Sequence, residues 1–199
     1  MNASRKKNIK TVLKDTWPFY LIAALVVTGG FYFIFHLAHK TPAYKTLTIF
    51  VSGQIKDGDK LEKDVIEHYQ DNELKSFSCI SADPSDAIYN TKLSIAGFNQ
   101  ADVLIIPVNE LRNRDVSAFA LDMSDEMIAS YFPGYTLFTQ DNVNYGIKID
   151  KEKVSDFMAL PSEDCYLVVN GKSENAGKYS SKGIAEHDNA LRVVRDWGM

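Results

Sequence analysis

The sequence predicts an α/β protein: a three-layer α/β/α sandwich with a mainly parallel sheet, preceded by one N-terminal transmembrane helix. Three observations predict it. Trp17 to Leu37 is a run of 21 residues without a formal charge. As a helix rising 1.5 Å per residue, it covers roughly the 30 Å hydrocarbon core of a bilayer. Residues 45–119 alternate between apolar, β-branched runs and amphipathic stretches, at the spacing of βαβ units. Two runs, ADVLIIP (Ala101 to Pro107) and CYLVV (Cys165 to Val169), are apolar without alternation, which is the pattern of strands buried on both faces.

The N-terminal region reads in three parts: a basic tail over residues 1–16, a signal-anchor helix over 17–38 and a linker over 39–44, broken by Pro42. The tail carries Arg5, Lys6, Lys7, Lys10 and Lys14 against one acid, Asp15. It is therefore +4, and the rest of a chain of net charge −4 is −8. Positive flanks stay in the cytoplasm, so the N-terminus is expected inside and residues 45–199 outside. The apolar run is longer than the 7–15-residue core of a cleaved signal peptide. Its end, Phe35-His36-Leu37-Ala38, offers Ala38 for a cut but sets His36 two residues before it. An uncleaved anchor is the reading; a cleaved signal and a buried soluble helix are its alternatives. Trp17 suits the membrane interface. Gly29-Gly30 is read as glycine tolerated in lipid, with a small-residue packing surface as the alternative.

The outer region follows in order. Lys45 to Ser52 is a strand that Gly53 closes. A helix follows, capped by Asp57 or Asp59, with Leu61, Val65, Ile66 and Tyr69 on one stripe. Ser76 to Ser81 is the second strand. Asp83-Pro84 opens a helix that Gly97 stops. Ala101 to Pro107 is the third strand, and a helix from about Asn109 to Phe119 follows it. Then come a helical turn from Asp125 to Tyr131, a turn at Phe132-Pro133-Gly134, and short strands at Tyr135 to Phe138 and Asn144 to Ile149, joined at Asp141-Asn142. Lys151 to Asp164 is irregular apart from a helical turn within Val154 to Leu160. Cys165 to Val169 is the last strand. Asn170 to Lys182, rich in Gly, Ser, Lys and Asn, is expected to be a mobile loop. A C-terminal helix from about Ile184 to Trp197 places Ala190, Leu191, Val194 and Trp197 on one face.

An acidic outer region argues against nucleic acid, whose readers carry a basic face. Cys79 and Cys165 each sit in an apolar run. They read as small buried hydrophobes, with a bridge as the alternative in an oxidising compartment. Of the four histidines, only His36 and His39 are three apart, and they stand at the membrane boundary. There is no HExxH, no G-x-S-x-G elbow and no P-loop. No metal and no cofactor is expected. Asp57, Asp59, Glu62 and Asp64 crowd a helix start, where carboxylates complement the dipole. Asp83, Asp86 and Asp102 are scattered, with capping or solvation their default role. Tyr131, Phe132, Tyr135, Phe138 and Tyr145 are expected to cover a face or edge of the sheet rather than to form a binding platform. No convergent catalytic constellation stands out, so an enzyme is not the expectation; an unidentified hydrolase is the minor alternative.

Four segments together resemble extracellular solute-binding proteins of the two-lobed periplasmic type. LTIFVSGQIKDGDKLEKDVIEHYQD resembles their opening strand and helix, and ADVLIIPVNEL their third strand. LDMSDEM and NYGIKIDKEK resemble the part that completes the first lobe and crosses over; Tyr145-Gly146-Ile147-Lys148 lacks the proline often found there. CYLVVNGKSENAGKYSSKGIAEHDNALRVVRDWG resembles the returning strand and helix. Where those proteins insert a second lobe, this chain has only the segment from Lys151 to Cys165. The resemblance therefore implies a single lobe, with strand order near 2-1-3, the returning strand beyond the third, and Cys79 far from Cys165. It implies no catalytic residues. What remains for a ligand is the crevice at the carboxyl ends of the strands, with Ser52, Gly53, Gln54, Ala82, Asp83, Val108 and Asn109 at its rim. The expectation is a membrane-anchored extracytoplasmic binding module for a small solute or a protein partner, beside a transporter or another membrane protein. The alternative is a structural or assembly protein of a membrane complex with no small-molecule ligand. The sole N-x-S/T sequon, at Asn2, fits a bacterial outer-face domain.

Overall fold

The structure is a computed structural model that describes residues 3–38, 41–183 and 185–199. The side chains of the basic tail and of His36, and all of His39, Lys40 and Ile184, lie outside the described residues. The chain divides into two compact units, Met1–Thr41 and Pro42–Met199.

The first unit is one helix, α1 (Ala3–Ala38). The helix runs through the basic tail and the apolar stretch without a break. Thr16–Phe35 is long and apolar enough to cross a membrane. Its large side chains, among them Phe19, Val26, Phe31 and Tyr32, are exposed all round. A helix apolar on every side is suited to hydrocarbon rather than water.

The second unit contains β1 (Thr46–Ser52), β2 (Gln54–Ile55), α2 (Gly58–His68), β3 (Ser76–Ala82), α3 (Tyr89–Lys92), α4 (Phe98–Gln100), β4 (Val103–Pro107), α5 (Val108–Arg112) and α6 (Asp125–Tyr131). It continues with β5 (Leu137–Gln140), β6 (Val143–Lys148), α7 (Lys151–Val154), β7 (Met158–Ala159), β8 (Cys165–Val169) and α8 (Asn189–Trp197). Six strands form one sheet in the order β3-β1-β4-β8-β6-β5. β1 runs parallel to β3 and β4, and β8 runs antiparallel to β4 and β6. Four strands (β3, β1, β4 and β6) therefore point one way, and β8 and β5 the other. The expected 2-1-3 order is present, with the returning strand next in line.

Side chains alternate across the sheet as the pleat requires. Leu47, Ile49 and Val51 of β1, Val103 and Ile105 of β4, and Cys165, Leu167 and Val169 of β8 pack with α2, α6 and α8 on one face. Phe50, Leu104, Ile106, Tyr166 and Val168 pack on the other face with Tyr89, Leu93, Leu111 and Phe119. The result is three layers, helix on sheet on helix. The five aromatics of the middle section divide between the two cores: Phe132 packs with Tyr131 and Tyr135 on one face, and Phe138 and Tyr145 lie on the other. They form no joint platform. Both cysteines are free, on strands three positions apart in the sheet, about 14 Å by strand spacing.

Several local expectations change, and among them the C-terminal helix starts at Asn189 rather than near Ile184. Asp83-Pro84 does not open a helix, because the Asp83 carboxylate accepts from the Ser85 N–H at 2.9 Å and folds the chain into a turn; α3 starts only at Tyr89. Gly97 does not stop that helix. The chain passes through a π-helical stretch, Leu93–Gly97, into α4. A Cβ at Gly97 would lie 2.9 Å from Leu93 Cδ1 and 3.2 Å from Leu104 Cδ2, so glycine lets the helix press onto the sheet. α5 ends at Arg112 rather than near Phe119, because the Gln140 side chain accepts from Val116 N at 3.1 Å and donates to Arg114 O at 3.0 Å. The helical turn expected within 154–160 lies at Lys151–Val154, and Met158–Ala159 is instead a strand paired with β2. Finally, the loop after β8 is folded inward: Ser173, Asn175, Ala176 and Ser180 are buried.

That loop is held by the amino-terminal end of β4. Asp102 Oδ2 accepts from Thr48 N at 2.8 Å, and Oδ1 accepts from Ser173 Oγ at 2.5 Å and Asn175 Nδ2 at 3.2 Å. Asn175 Nδ2 also donates to Thr46 O at 2.8 Å, and Asn170 Nδ2 to Ala101 O at 2.9 Å. Asp102 therefore has the capping role expected of it, and it ties the loop to the sheet as well.

Candidate functional site

At the opposite end of the sheet, β1, β3 and β4 deliver their carboxyl ends side by side. Gly53 N donates to Ala82 O at 2.9 Å, which fastens the end of β1 to that of β3. The antiparallel return brings a fourth element to the same end. Pro107 pairs with Cys165, so the residues just before β8 arrive beside the end of β4. Val108 N donates to Asp164 O at 2.8 Å, and Asn109 N to Glu163 Oε2 at 3.3 Å.

The crossover before β8 is short, and it lies on this end of the sheet. β7 pairs antiparallel with β2, Gln54 against Ala159 and Ile55 against Met158. The approach is close enough that a Cβ on Gly53 would stand 2.4 Å from Ala159 O. Glycine is required here by contact with backbone. Lys151 secures the rest of the crossover: its Nζ donates to the carbonyls of Pro161 (2.5 Å), Ser162 (3.0 Å) and Glu163 (2.6 Å). Three inward carbonyls and one ammonium hold the 161–163 bend in place.

Between the strand ends and this crossover lies a cleft of about 420 Å³, lined by Gly53, Gln54, Asp83, Ser85, Leu160 and Glu163, together with Pro84, Ala159 and Pro161. Its volume is within the roughly 300–1,000 Å³ of small-molecule sites. The charged residues of the lining are Asp83 and Glu163, both acids. Hydrogen bonds from the Ser85 N–H (2.9 Å) and hydroxyl (2.7 Å), with a weaker contribution from Gln54 Nε2 at 3.3 Å, hold the Asp83 carboxyl below its ordinary range. Asp83 is therefore a fixed anion at neutral pH. Carboxylate oxygens accept hydrogen bonds and attract cations, and they repel phosphates and carboxylates.

Of the seven rim residues expected from the sequence, Gly53, Gln54 and Asp83 come together in this cleft. Ser52 and Asn109 do not line it. Ser52 is fully buried, and its Oγ lies 2.7 Å from the buried Tyr89 hydroxyl, so it is a core contact behind the rim. Asn109 is exposed at the start of α5, and its backbone N–H positions Glu163. Ala82 serves through its carbonyl and Val108 through its N–H. Ser85, Leu160 and Glu163 were not anticipated. Ser85 follows from Asp83, because an aspartate before Pro-Ser favours a side-chain-to-backbone turn. Glu163 is brought in only by the antiparallel pairing of β8. Among the described residues, no group of three His, Cys, Asp or Glu side chains is placed to hold a metal ion.

No protein-family model matches this chain, and no curated protein matches it.

Proposed function

We propose that this protein is a membrane-anchored binding module. In this reading α1 crosses a membrane with its basic end in the cytoplasm, and the α/β unit stands outside as a single lobe akin to half of a two-lobed solute-binding protein. The observation that carries the proposal is the strand-end cleft, rimmed by Asp83 and Glu163 and closed on one side by the β2–β7 pair. Carboxyl ends of strands are where open α/β sheets bind ligands. The strand order β3-β1-β4-β8 supports the kinship with the solute-binding lobe, and the short crossover from Lys151 to Asp164 supports the single-lobe form.

A donor-rich cation fits this rim: a primary ammonium or guanidinium can satisfy both carboxylates, whereas an anion meets repulsion. One lobe cannot enclose its ligand by hinge closure, so affinity is expected to be modest. The membrane anchor then keeps the module beside the transporter or receptor it serves and raises the effective concentration.

The test is thermal unfolding of the full-length protein in nanodiscs against arginine, lysine, spermidine, sugars and short peptides. A ligand at 100 times its Kd stabilises the folded form by about 2.7 kcal/mol. Stabilisation by the cationic probes, lost in Asp83→Asn/Glu163→Gln, supports the proposal. No shift with any probe would leave a structural or assembly role as the better reading.

A further inference from the structure

A second cleft lies on the helical face, between α2 and the end of α8, away from the strand-end rim. Its volume is about 190 Å³, and its walls include Asp64, His68, Tyr69, Phe157, Asp196 and Trp197. We propose that this cleft binds a methylated ammonium group, as in a quaternary ammonium such as choline.

The composition of the walls selects that chemistry. Tyr69, Phe157 and Trp197 supply aromatic rings, and Asp64 and Asp196 supply carboxylates, while no Lys or Arg lines the cleft. Ring faces and carboxylates both attract positive charge. Asp196 is held in place: Oδ2 accepts from the Tyr69 hydroxyl at 2.7 Å and lies 3.4 Å from His68 Nε2, and Oδ1 accepts from Arg195 Nε at 2.9 Å. Burial and the Asp196 carboxylate push the Tyr69 hydroxyl far above its ordinary range, so Tyr69 stays a donor and Asp196 an acceptor. Asp64 lines the same cleft from an exposed position on α2, so its carboxylate is accessible from solvent. Lys60 Nζ stands 5.1 Å from the Phe157 ring centroid, so a ligand cation at that ring has to displace it or share the ring with it.

The alternatives fit less well. A bare metal ion needs convergent ligands, and no group of three His, Cys, Asp or Glu among the described residues supplies them. A phosphate or carboxylate is repelled by two acids. A neutral apolar group gains no attraction from the two carboxylates. The cleft is smaller than the roughly 300–1,000 Å³ of drug-sized sites, so it suits a headgroup. A methylated ammonium has no N–H to satisfy and spreads its charge over methyl groups that pack against rings. That distinguishes it from the donor-rich cation suited to the strand-end cleft.

The experiment uses full-length protein in phosphatidylglycerol nanodiscs with Trp17→Phe, which leaves Trp197 as the sole tryptophan. Choline chloride is titrated while Trp197 emission is followed, with uptake of labelled choline in equilibrium dialysis as a second readout. The neutral isostere 3,3-dimethyl-1-butanol and sodium chloride at matched ionic strength are the controls. A saturable response to choline is expected, at least about tenfold weaker for the isostere. Asp64→Asn, on an exposed helix position, is expected to weaken choline about two- to fivefold with an unchanged Tm, and Phe157→Leu about threefold or more. Repetition in phosphatidylcholine nanodiscs separates the sources. Loss of the choline response there assigns the site to the lipid headgroup, and its retention assigns it to a free solute; both support the ammonium site. No saturable binding up to about 50 mM, equal binding of the isostere, or full binding by Asp64→Asn overturns it. The outcome leaves the strand-end reading untouched, because Asp83 and Glu163 take no part in it.

Discussion

Replacing Asp102 with alanine is expected to cost the α/β unit about 2–4 kcal/mol. The figure follows from the three donors that the carboxylate serves. Thr48 N–H, at 2.8 Å, lies on β1, an interior strand of the sheet, and Asp102 is the side chain that accepts from it. Ser173 Oγ, at 2.5 Å, can rotate, and Asn175 Nδ2, at 3.2 Å, keeps its bond to Thr46 O at 2.8 Å. One donor is thus stranded outright and two are weakened, at about 1–3 kcal/mol for each unsatisfied group. An offset comes from the carboxylate itself. Burial lifts the Asp102 carboxyl above its ordinary range, against the pull of Ser173, Thr48 and Asn175. A raised folded-state value means that the folded chain holds this proton more tightly than the unfolded chain. Its contribution is fully present below the unfolded carboxylate range and is lost as pH rises through the folded value. Asp102→Asn removes that dependence while keeping one acceptor, and is expected to cost less than alanine at neutral pH. The assay is thermal unfolding of full-length protein by circular dichroism, with hydrogen exchange of residues 170–182. At about 2–4 °C per kcal/mol for a unit of this size, alanine should lower Tm by about 5–15 °C and deprotect the loop. An alanine variant within about 0.5 kcal/mol of the parent, with the loop still protected, would refute the role given to Asp102.

Three further outcomes are expected. Gly53→Ala places a methyl group 2.4 Å from Ala159 O, so β2 and β7 must separate; a loss of about 1–3 kcal/mol and faster exchange at Ile55 are the measurable results. Lys151→Met removes an ammonium from three carbonyls and should speed exchange across 161–164 while costing about 1–2 kcal/mol, read by urea unfolding. Burial pushes the Cys79 thiol up to about 12 and the Cys165 thiol to about 11, so at pH 8 neither is a thiolate in the folded protein. Iodoacetamide should label both only in denaturant, as read by mass spectrometry.

The layers were legible because burial on both faces leaves continuous apolar runs. TLTIFVS, VLIIP and CYLVV need no context to read as interior strands, and each forms one. The hairpin was legible for a different reason: Asp141 and Asn142 both take positive φ, 51° and 64°, a conformation those residue types tolerate. What escaped depends on partners far along the chain. Gln140 holds Val116, 24 residues before it, out of the preceding helix, and Asp102 folds in a loop that is polar by composition. Polarity marks a loop as exposed only when no buried acceptor is waiting for it. At the cleft, Gly53, Gln54 and Asp83 follow once β1 and β3 are recognised, since a strand's end is a local property. Ser52 ends β1, but strand alternation turns its side chain to the interior, where Tyr89 meets it. Glu163 depends on a strand running backwards beside β4, and no local pattern encodes that direction.

The most direct measurement of the binding role is amide chemical-shift mapping on isotope-labelled full-length protein in nanodiscs, with arginine and spermidine as probes. Saturable shifts at Gly53, Gln54, Ser85 and Glu163, following one isotherm and abolished in Asp83→Asn/Glu163→Gln, are the expected result. Silent amides at these four positions up to about 50 mM of either probe, or shifts that persist in the double variant, would contradict it.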